Sequence, residues 1–289
     1  MRPTAPPSAA DRFVTPAWLA GRLDDPDVVV VDGSWYLPAM HRDPDAEYRA
    51  GHIPGAVRVD IEAVRDRDST LPHMLPTPEA FAAAMGELGI AEDMTVVVYD
   101  GAGLFSAPRV WWMLTVFGAR DVRILDGGLP GWTAAGHPVQ TGAPPTRSPR
   151  TFKPRFDRSA VADLGDVQDV VRNGSAQVLD ARSAERFRGD APEPRPGVRS
   201  GHIPGSRNLP YSAVLAEGRL ADPQAITAAV RAAGVDPAEP VITSCGSGVT
   251  AAILWLALDA IGHPPRSIYD GSWTEWGGRS DVPAATGDP

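Results

Sequence analysis

The pentapeptide Gly-His-Ile-Pro-Gly occurs twice, at 51–55 and at 201–205, and this duplication constrains the fold more than any other feature of the chain. Two further echoes accompany it in the same order. Val30-Val-Asp32 returns as Val178-Leu-Asp180, and Ile124-Leu-Asp-Gly127 with Trp132 returns as Ile268-Tyr-Asp-Gly271 with Trp276. A repeat of about half the chain means two copies of one structural unit. Within each copy, short apolar runs alternate with stretches of helical periodicity. That alternation predicts an α/β fold of two pseudo-symmetric domains, each a mainly parallel sheet flanked by helices. A length of 289 residues suits two domains. Pro144, Pro145, Pro149 and Pro154 mark 141–158 as a Pro-rich linker between a first domain over 11–140 and a second over 159–289.

Buried strands are expected at 28–31, 95–99, 122–125, 177–179 and 241–244, and helices over 15–23, 77–89, 107–117, 129–135, 163–172, 222–233 and 251–261. Thr15-Pro16, Thr77-Pro78 and Asp222-Pro223 are helix-opening pairs, a capping side chain followed by a residue that needs no amide partner. The stretches 41–50, 60–75 and 187–199 read as polar or irregular, and 1–10, rich in Pro, Ala and Ser, as a loose tail.

The two copies differ at one telling place. Aligned, they put Asp100-Gly-Ala-Gly103 opposite Cys245-Gly-Ser-Gly248, and Cys245 is the single cysteine of the chain. It ends a short apolar run and precedes a glycine-rich turn, then Val249, Thr250 and an apolar helix. Gly246 and Gly248 lack a Cβ and let the backbone fold back closely. The loop amides and the helix start near Thr250 then favour an anionic sulfur. A solitary cysteine without such a setting is a small buried hydrophobe; the Gly-Ser-Gly turn points to a nucleophile instead. Asp100 offers no thiolate nucleophile, so the first domain is expected to be non-catalytic and to supply one wall of a cleft. His52 and His202 recur in both copies and read as structural. Asp32, Asp126 and Asp270 read as loop braces or helix caps.

The motifs DGSWYLP (32–38), HIPGA (52–56), HML (73–75), SAPRVWWM (106–113), LDGGLPGW (125–132), PEPR (192–195), SGHIPG (200–205), CGSGVT (245–250) and YDGSWTEW (269–276) together resemble the tandem-domain sulfurtransferases of the rhodanese superfamily. The loop CGSGVT is most similar to that of 3-mercaptopyruvate sulfurtransferases, whereas thiosulfate-specific members typically carry basic residues after the cysteine. The resemblance implies transfer of the sulfur of 3-mercaptopyruvate through a Cys245 persulfide, with release of pyruvate. The acceptor it implies is cyanide or a thiol, such as thioredoxin or a small thiol. It implies that Arg186 and Arg195 hold the donor's carboxylate and keto oxygen, a task for which a planar guanidinium is suited. Gly246, Gly248, Val249 and Thr250 complete the expected substrate-binding ring around the sulfur. A relay of Ser247, His73 and an acidic residue is also implied. The acidic position falls on Glu62, where the family pattern has an aspartate; Asp60, two residues earlier, matches a further family aspartate. Arg182, Arg188 and Arg199 read as structural or solvated, with Arg182 bracing the strand end at Asp180.

Composition narrows the classes of function. The net charge is −9, Lys153 is the sole lysine and no basic stripe appears, so no nucleic-acid partner is expected. No apolar run is long enough to span a bilayer and no secretory signal is evident, so no membrane partner is expected and a cytoplasmic location is. A single cysteine makes neither an internal disulfide nor a zinc cluster, and neither metal nor cofactor is expected. A phosphatase with a similarly placed cysteine needs an arginine six residues later, and residue 251 is alanine. Thiosulfate as donor is the main alternative; it is a compact dianion and favours loop charge that Gly246 and Ser247 do not supply. A non-enzymatic persulfide carrier or docking module is the second alternative, and has no use for the Arg186 and Arg195 pair.

Overall fold

The computed structural model describes residues 12–236, 238–263 and 267–288, so the tail over 1–10 lies outside the described residues. In the first half, β1 (Phe13–Val14), β2 (Val28–Asp32), β3 (Val57–Arg58), β4 (Thr95–Tyr99) and β5 (Asp121–Leu125) form a parallel sheet in the order β1-β5-β4-β2-β3. Around it lie α1 (Pro16–Ala20), α2 (Pro44–Ala50), α3 (Pro78–Glu87), α4 (Ala107–Val116) and α5 (Gly128–Ala134). The second half has β6 (Val161–Ala162), β7 (Gln177–Asp180), β8 (Arg207–Asn208), a hairpin of β9 (Leu215–Ala216) and β10 (Arg219–Leu220), then β11 (Val241–Ser244) and β12 (Ser267–Tyr269). Its sheet is again parallel, in the order β6-β12-β11-β7-β8, so the two topologies match strand for strand once the hairpin is set aside. Its helices are α6 (Leu164–Asn173), α7 (Ala184–Arg188), α8 (Pro223–Ala232), α9 (Ala251–Ala260) and α10 (Ser272–Gly278).

The central strands have no solvent-facing side because each sheet is covered on both sides. All five residues of β2, four of them valine, are buried, as expected of a parallel strand between helical layers. The capping pairs open helices as predicted: the hydroxyls of Thr15 and Thr77 and the carboxylate of Asp222 accept first-turn amides of α1, α3 and α8. The central strands β4 and β11 each run into a loop and then into α4 and α9. These two helices pack on one another between the halves, with Trp111 and Trp255 ring centroids 5.2 Å apart. Val110, Trp112, Ile253 and Leu254 belong to one core that is continuous across both halves. That is why α9 is apolar over its first eight residues, with Asp259 near its end paired to Arg12.

Two expectations for irregular chain are corrected. Within 41–50, residues Pro44–Ala50 form α2, capped by Asp43, which accepts from the amides of Asp45 and Ala46. An Asp-Pro opening of the same kind as Asp222-Pro223 was present, but a single buried residue, Tyr48, leaves no helical periodicity to detect. Phe187 and Arg188, placed at the head of a polar insertion, finish α7 instead. Phe187 is buried and stacks on His202 at 3.9 Å, as Tyr48 stacks on His52 at 3.9 Å. In both copies the histidine Nδ1 meets the carbonyl of that aromatic residue, at 2.8 Å for His52 and 2.9 Å for His202, so these histidines fasten a helix to the turn that follows it.

Candidate active site

Cys245 emerges at the end of β11, the central strand of the second sheet, and the start of α10 fastens its loop from behind. The Cys245 amide donates to Ser272 Oγ at 3.2 Å, the Cys245 carbonyl accepts from the Trp273 amide at 3.0 Å, and the Gly246 carbonyl accepts from the Thr274 amide at 2.9 Å and from its hydroxyl at 2.6 Å. Close backbone folding is predicted at both loop glycines but is found at one. Gly248 has φ +77°, and a Cβ there would lie 2.9 Å from the Asp270 carbonyl. Gly246 is not left-handed; a Cβ on it would lie 3.1 Å from Arg186 Nη2, so its smallness makes room for a guanidinium.

Cys245, Gly246, Ser247, Val249 and Thr250 line a cavity of ≈ 260 Å³. Arg182, Arg186, Arg195 and Tyr211 of the second half line it too, and Trp35 and Leu37 of the first half form the facing wall. The two predicted arginines are therefore brought to the cysteine, in different electrostatic states. Arg186 is committed: its Nη2 and Nε donate to the two oxygens of Glu193 at 2.6 and 3.2 Å. Glu193 also accepts from Arg182 Nη1 at 2.8 Å, and Arg182 is itself paired with Asp180 at 2.7 Å. Arg195 makes no hydrogen bond to another protein group among the described residues. Burial holds its guanidinium below the ordinary value, and nearby Glu62 and Cys245 act in the opposite sense. A cation that is partly desolvated and uncommitted is primed for an anion. Arg182 braces the strand end as predicted. Arg188 pairs with Asp190 at the surface, and Arg199 donates to the carbonyls of Trp276, Gly277 and Val282.

The segment 60–75 of the first half, without helix or strand, crosses to the cysteine loop of the second. His73 Nδ1 lies 3.0 Å from Ser247 Oγ and 3.3 Å from the Ser247 carbonyl, and His73 Nε2 lies 2.7 Å from Glu62 Oε1. Glu62 therefore reaches His73 despite its extra methylene, and Asp60 accepts from the Glu62 amide at 2.9 Å, bracing the turn. Trp35 completes the support: its Nε1 donates to Glu62 Oε1 at 3.2 Å and its ring meets that of His73 edge-on at 4.8 Å. The hydrogen bond from His73 holds the Glu62 carboxyl below its ordinary value, against the opposing effect of partial burial. An ionised Glu62 takes the Nε2–H, which leaves Nδ1 to accept from the Ser247 hydroxyl. A protonated ring could instead donate from Nδ1 to the Ser247 carbonyl, so this position suits both charge states.

The corresponding loop of the first half is filled. Asp100 is fully buried, and its Oδ2 accepts from the amides of Phe105, Ser106 and Ala107 at 2.7–2.9 Å, while Oδ1 accepts from Ala102 at 2.9 Å. The loop is thus built to surround a negative group at the tip of this side chain. In the second half the amides of Ser247, Thr250 and Ala251, at three of the four aligned positions, are not taken by other protein groups among the described residues. The first-half loop is also covered. The turn of the β9–β10 hairpin packs on it so closely that a Cβ on Gly103 would lie 2.6 Å from the Gly218 carbonyl, and Arg219 pairs with Asp126 beside it.

Glu193 and Trp35 were not singled out from the sequence, although each lies in a quoted motif, PEPR and DGSWYLP. A carboxylate two residues before a candidate anion-binding arginine was the available signal for Glu193.

The model of the rhodanese-like domain matches the chain twice, over residues 15–135 and 163–279. The 3-mercaptopyruvate sulfurtransferase of Escherichia coli K12 is 46% identical over 273 residues, covering 94% of this chain and 96% of that protein. The thiosulfate/3-mercaptopyruvate sulfurtransferase 1 of Arabidopsis thaliana mitochondria is 42% identical, covering 97% of this chain and 79% of that one. Among solved structures, that of SseA from Escherichia coli, described as having the rhodanese fold of 3-mercaptopyruvate sulfotransferases, superposes with a TM-score of 0.84 at 44% identity, covering 91% of this chain and 98% of that one.

Proposed function

The chain belongs to the rhodanese family, with two rhodanese-like domains, and on that premise we propose that it is a sulfurtransferase whose donor is 3-mercaptopyruvate. The Cys245 thiolate attacks the donor sulfur. A sulfur–sulfur bond forms, the donor's carbon–sulfur bond breaks, and its electron pair remains on carbon as the enolate of pyruvate. His73 receives the proton of the donor thiol through Ser247 and returns it by the same route to the enolate, with Glu62 holding the transient imidazolium. The products are pyruvate and a Cys245 persulfide. A thiolate, such as that of thioredoxin or a small thiol, or cyanide then attacks the outer sulfur, and the Cys245 thiolate leaves and is regenerated.

The observation that carries this reading is the composition of one cavity: the single cysteine, a hydroxyl tied to an imidazole, and three guanidiniums, of which Arg182 and Arg186 are committed to carboxylates and Arg195 is not. Arg195 is assigned the donor's carboxylate. Arg186, oriented by Glu193, is assigned the keto oxygen, on which negative charge grows as the enolate forms. Of the expected ring of Gly246, Gly248, Val249 and Thr250, only the Thr250 amide falls on the pattern by which the first-half loop surrounds the Asp100 carboxylate; with the amides of Ser247 and Ala251 it is assigned to the persulfide, and the other three are assigned to shaping the loop. The first domain, over 11–140, is read as non-catalytic, 141–158 as the linker and 159–289 as the catalytic domain. Occupation of the first-half loop by Asp100 and the hairpin supports that division of labour. A reducing compartment such as the cytoplasm suits a free thiolate.

The test compares kcat/KM for mercaptopyruvate and thiosulfate, in the wild type and in Cys245→Ser. A preference for mercaptopyruvate, lost together with all pyruvate release in a folded Cys245→Ser protein, is the expected result. A preference for thiosulfate transfers the reading to the other donor. Binding and carriage of sulfur without turnover of either donor reduces the protein to a persulfide carrier.

A further inference from the structure

Arg109, on α4 of the first half, is fully buried, a setting in which a guanidinium is costly unless its charge is paired; its Nη1 and Nη2 are matched, while Nε has no partner among the described residues. Its carboxylate partner comes from the other half: Arg109 Nη2 donates to Asp270 Oδ1 at 2.7 Å, in the turn between β12 and α10. Its other acceptors are two backbone carbonyls, Gly248 at 3.2 Å and His73 at 2.5 Å. Asp270 Oδ2 in turn accepts from the Leu75 amide at 2.7 Å. One ion pair thus grips the residue after Ser247, His73 itself, and the residue two beyond His73.

The gripped backbone needs holding. His73 has φ +59°, a conformation costly for a residue with a Cβ. The duplication shows that packing alone does not call for the guanidinium. In the alignment that pairs Asp100 with Cys245, Arg109 falls opposite Leu254, which is equally buried on α9. A requirement of the fold would be met alike in both copies; the arginine stands only on the helix that faces the cysteine loop. Asp126, the counterpart of Asp270, pairs with the hairpin's Arg219 instead.

We infer that Arg109 is a positioning residue: with Asp270 it staples the segment bearing His73 to the loop bearing Cys245 and Ser247, and so sets the Ser247–His73 contact across the two halves. Arg109 has this role only if the relay proposed above operates, and the test separates the two. Arg109→Lys keeps a charge opposite Asp270, but a single ammonium cannot reproduce the planar fork. This variant, His73→Ala and the double variant are compared for kcat and KM with mercaptopyruvate and with thiosulfate, after near-UV circular dichroism and Tm establish that each is folded.

Misplacement of a reacting group by about 1 Å costs about 100-fold in rate. Arg109→Lys is therefore expected to lower kcat for mercaptopyruvate by about 10- to 100-fold, with KM moving by less than about 3-fold, and to affect thiosulfate less because that donor needs no proton delivered. Adding it to His73→Ala should cause little further loss, since a displaced imidazole and an absent one have the same consequence. Wild-type kcat in Arg109→Lys, or losses that multiply in the double variant while His73→Ala is impaired, overturns the role of Arg109. Wild-type kcat in His73→Ala overturns the relay itself, and the role of Arg109 with it. If Arg109→Lys does not fold, Asp270→Asn takes its place in the same cycle with the same expectations.

Discussion

Ser247 Oγ and His73 Nδ1 lie 3.0 Å apart although 174 residues separate them along the chain. The contact exists because each half sends a segment outside its main sheet to the other's central loop. The stretch 60–75 of the first half reaches the loop of Cys245, and the β9–β10 hairpin of the second half reaches the loop of Asp100. One exchange brings an imidazole to an open cavity. The other closes the duplicate site.

Ser247→Ala and His73→Ala should each lower kcat for mercaptopyruvate by roughly 10²- to 10⁴-fold, the range of general acid–base catalysis. Thiosulfate turnover should fall less, since sulfite leaves without a proton. Parallel kinetics on the two donors check this; equal losses would mean that the pair supports the loop and does not move protons.

Glu62 predicts a pH effect. His73 lowers its pKa in the folded protein, so its contribution to stability is fully present above the unfolded value of about 4.3 and is lost as pH falls through the lower folded value. Glu62→Gln lacks this contribution. The Tm difference between wild type and Glu62→Gln should therefore be constant near neutrality and shrink below about pH 4. A difference that grows on acidification contradicts the assignment. The effect should be small, because the side chain is half exposed.

Arg195→Ala and Arg186→Ala should each cost about 1.5–3 kcal/mol in kcat/KM for mercaptopyruvate, the scale of a hydrogen bond to a charged group. Their different partners make the losses separable. Removing Arg195, which hydrogen-bonds no carboxylate among the described residues, should appear mainly in KM. Glu193→Gln frees Arg186 from its orientation and should lower kcat with less effect on KM. Steady-state kinetics on the three variants, repeated with thiosulfate, test the assignment; identical losses on both donors would show general electrostatics.

Asp100→Ala should separate stability from activity. It removes a fully buried acceptor of four backbone amides, which predicts a loss of about 3–5 kcal/mol in unfolding free energy. Specific activity per folded molecule should change by less than about 3-fold, because Asp100 touches neither donor nor relay. Denaturant unfolding and kinetics on the same preparation check both halves of the statement. A folded variant as inactive as Cys245→Ser would show that the first-half loop takes part in the chemistry.

What was legible in the sequence was local. Runs such as Val28–Asp32 and 251–261 record burial on every side, and a strand or helix follows from its own residues. The duplicated Gly-His-Ile-Pro-Gly turns declared two copies of one unit, and Cys245 against Asp100 declared which copy carries the nucleophile. The α2 helix escaped because Tyr48 alone is buried in it, and one buried residue makes no period.

Contacts between distant segments were decided by the tertiary structure. The sequence shows Glu193 two residues before Arg195, but only the fold makes it the shared acceptor of Arg186 from α7 and Arg182 from the end of β7. Nothing in Gly246 indicates that its missing Cβ makes room for Arg186. The packing of α4 on α9 places Arg109 under the cysteine loop, and only then can one guanidinium reach Asp270, Gly248 and His73 together. The physical reason is one of range. Side-chain periodicity reports how each element meets its immediate surroundings, whereas a site shared between two domains depends on how whole elements pack, and that is written in no single stretch of chain.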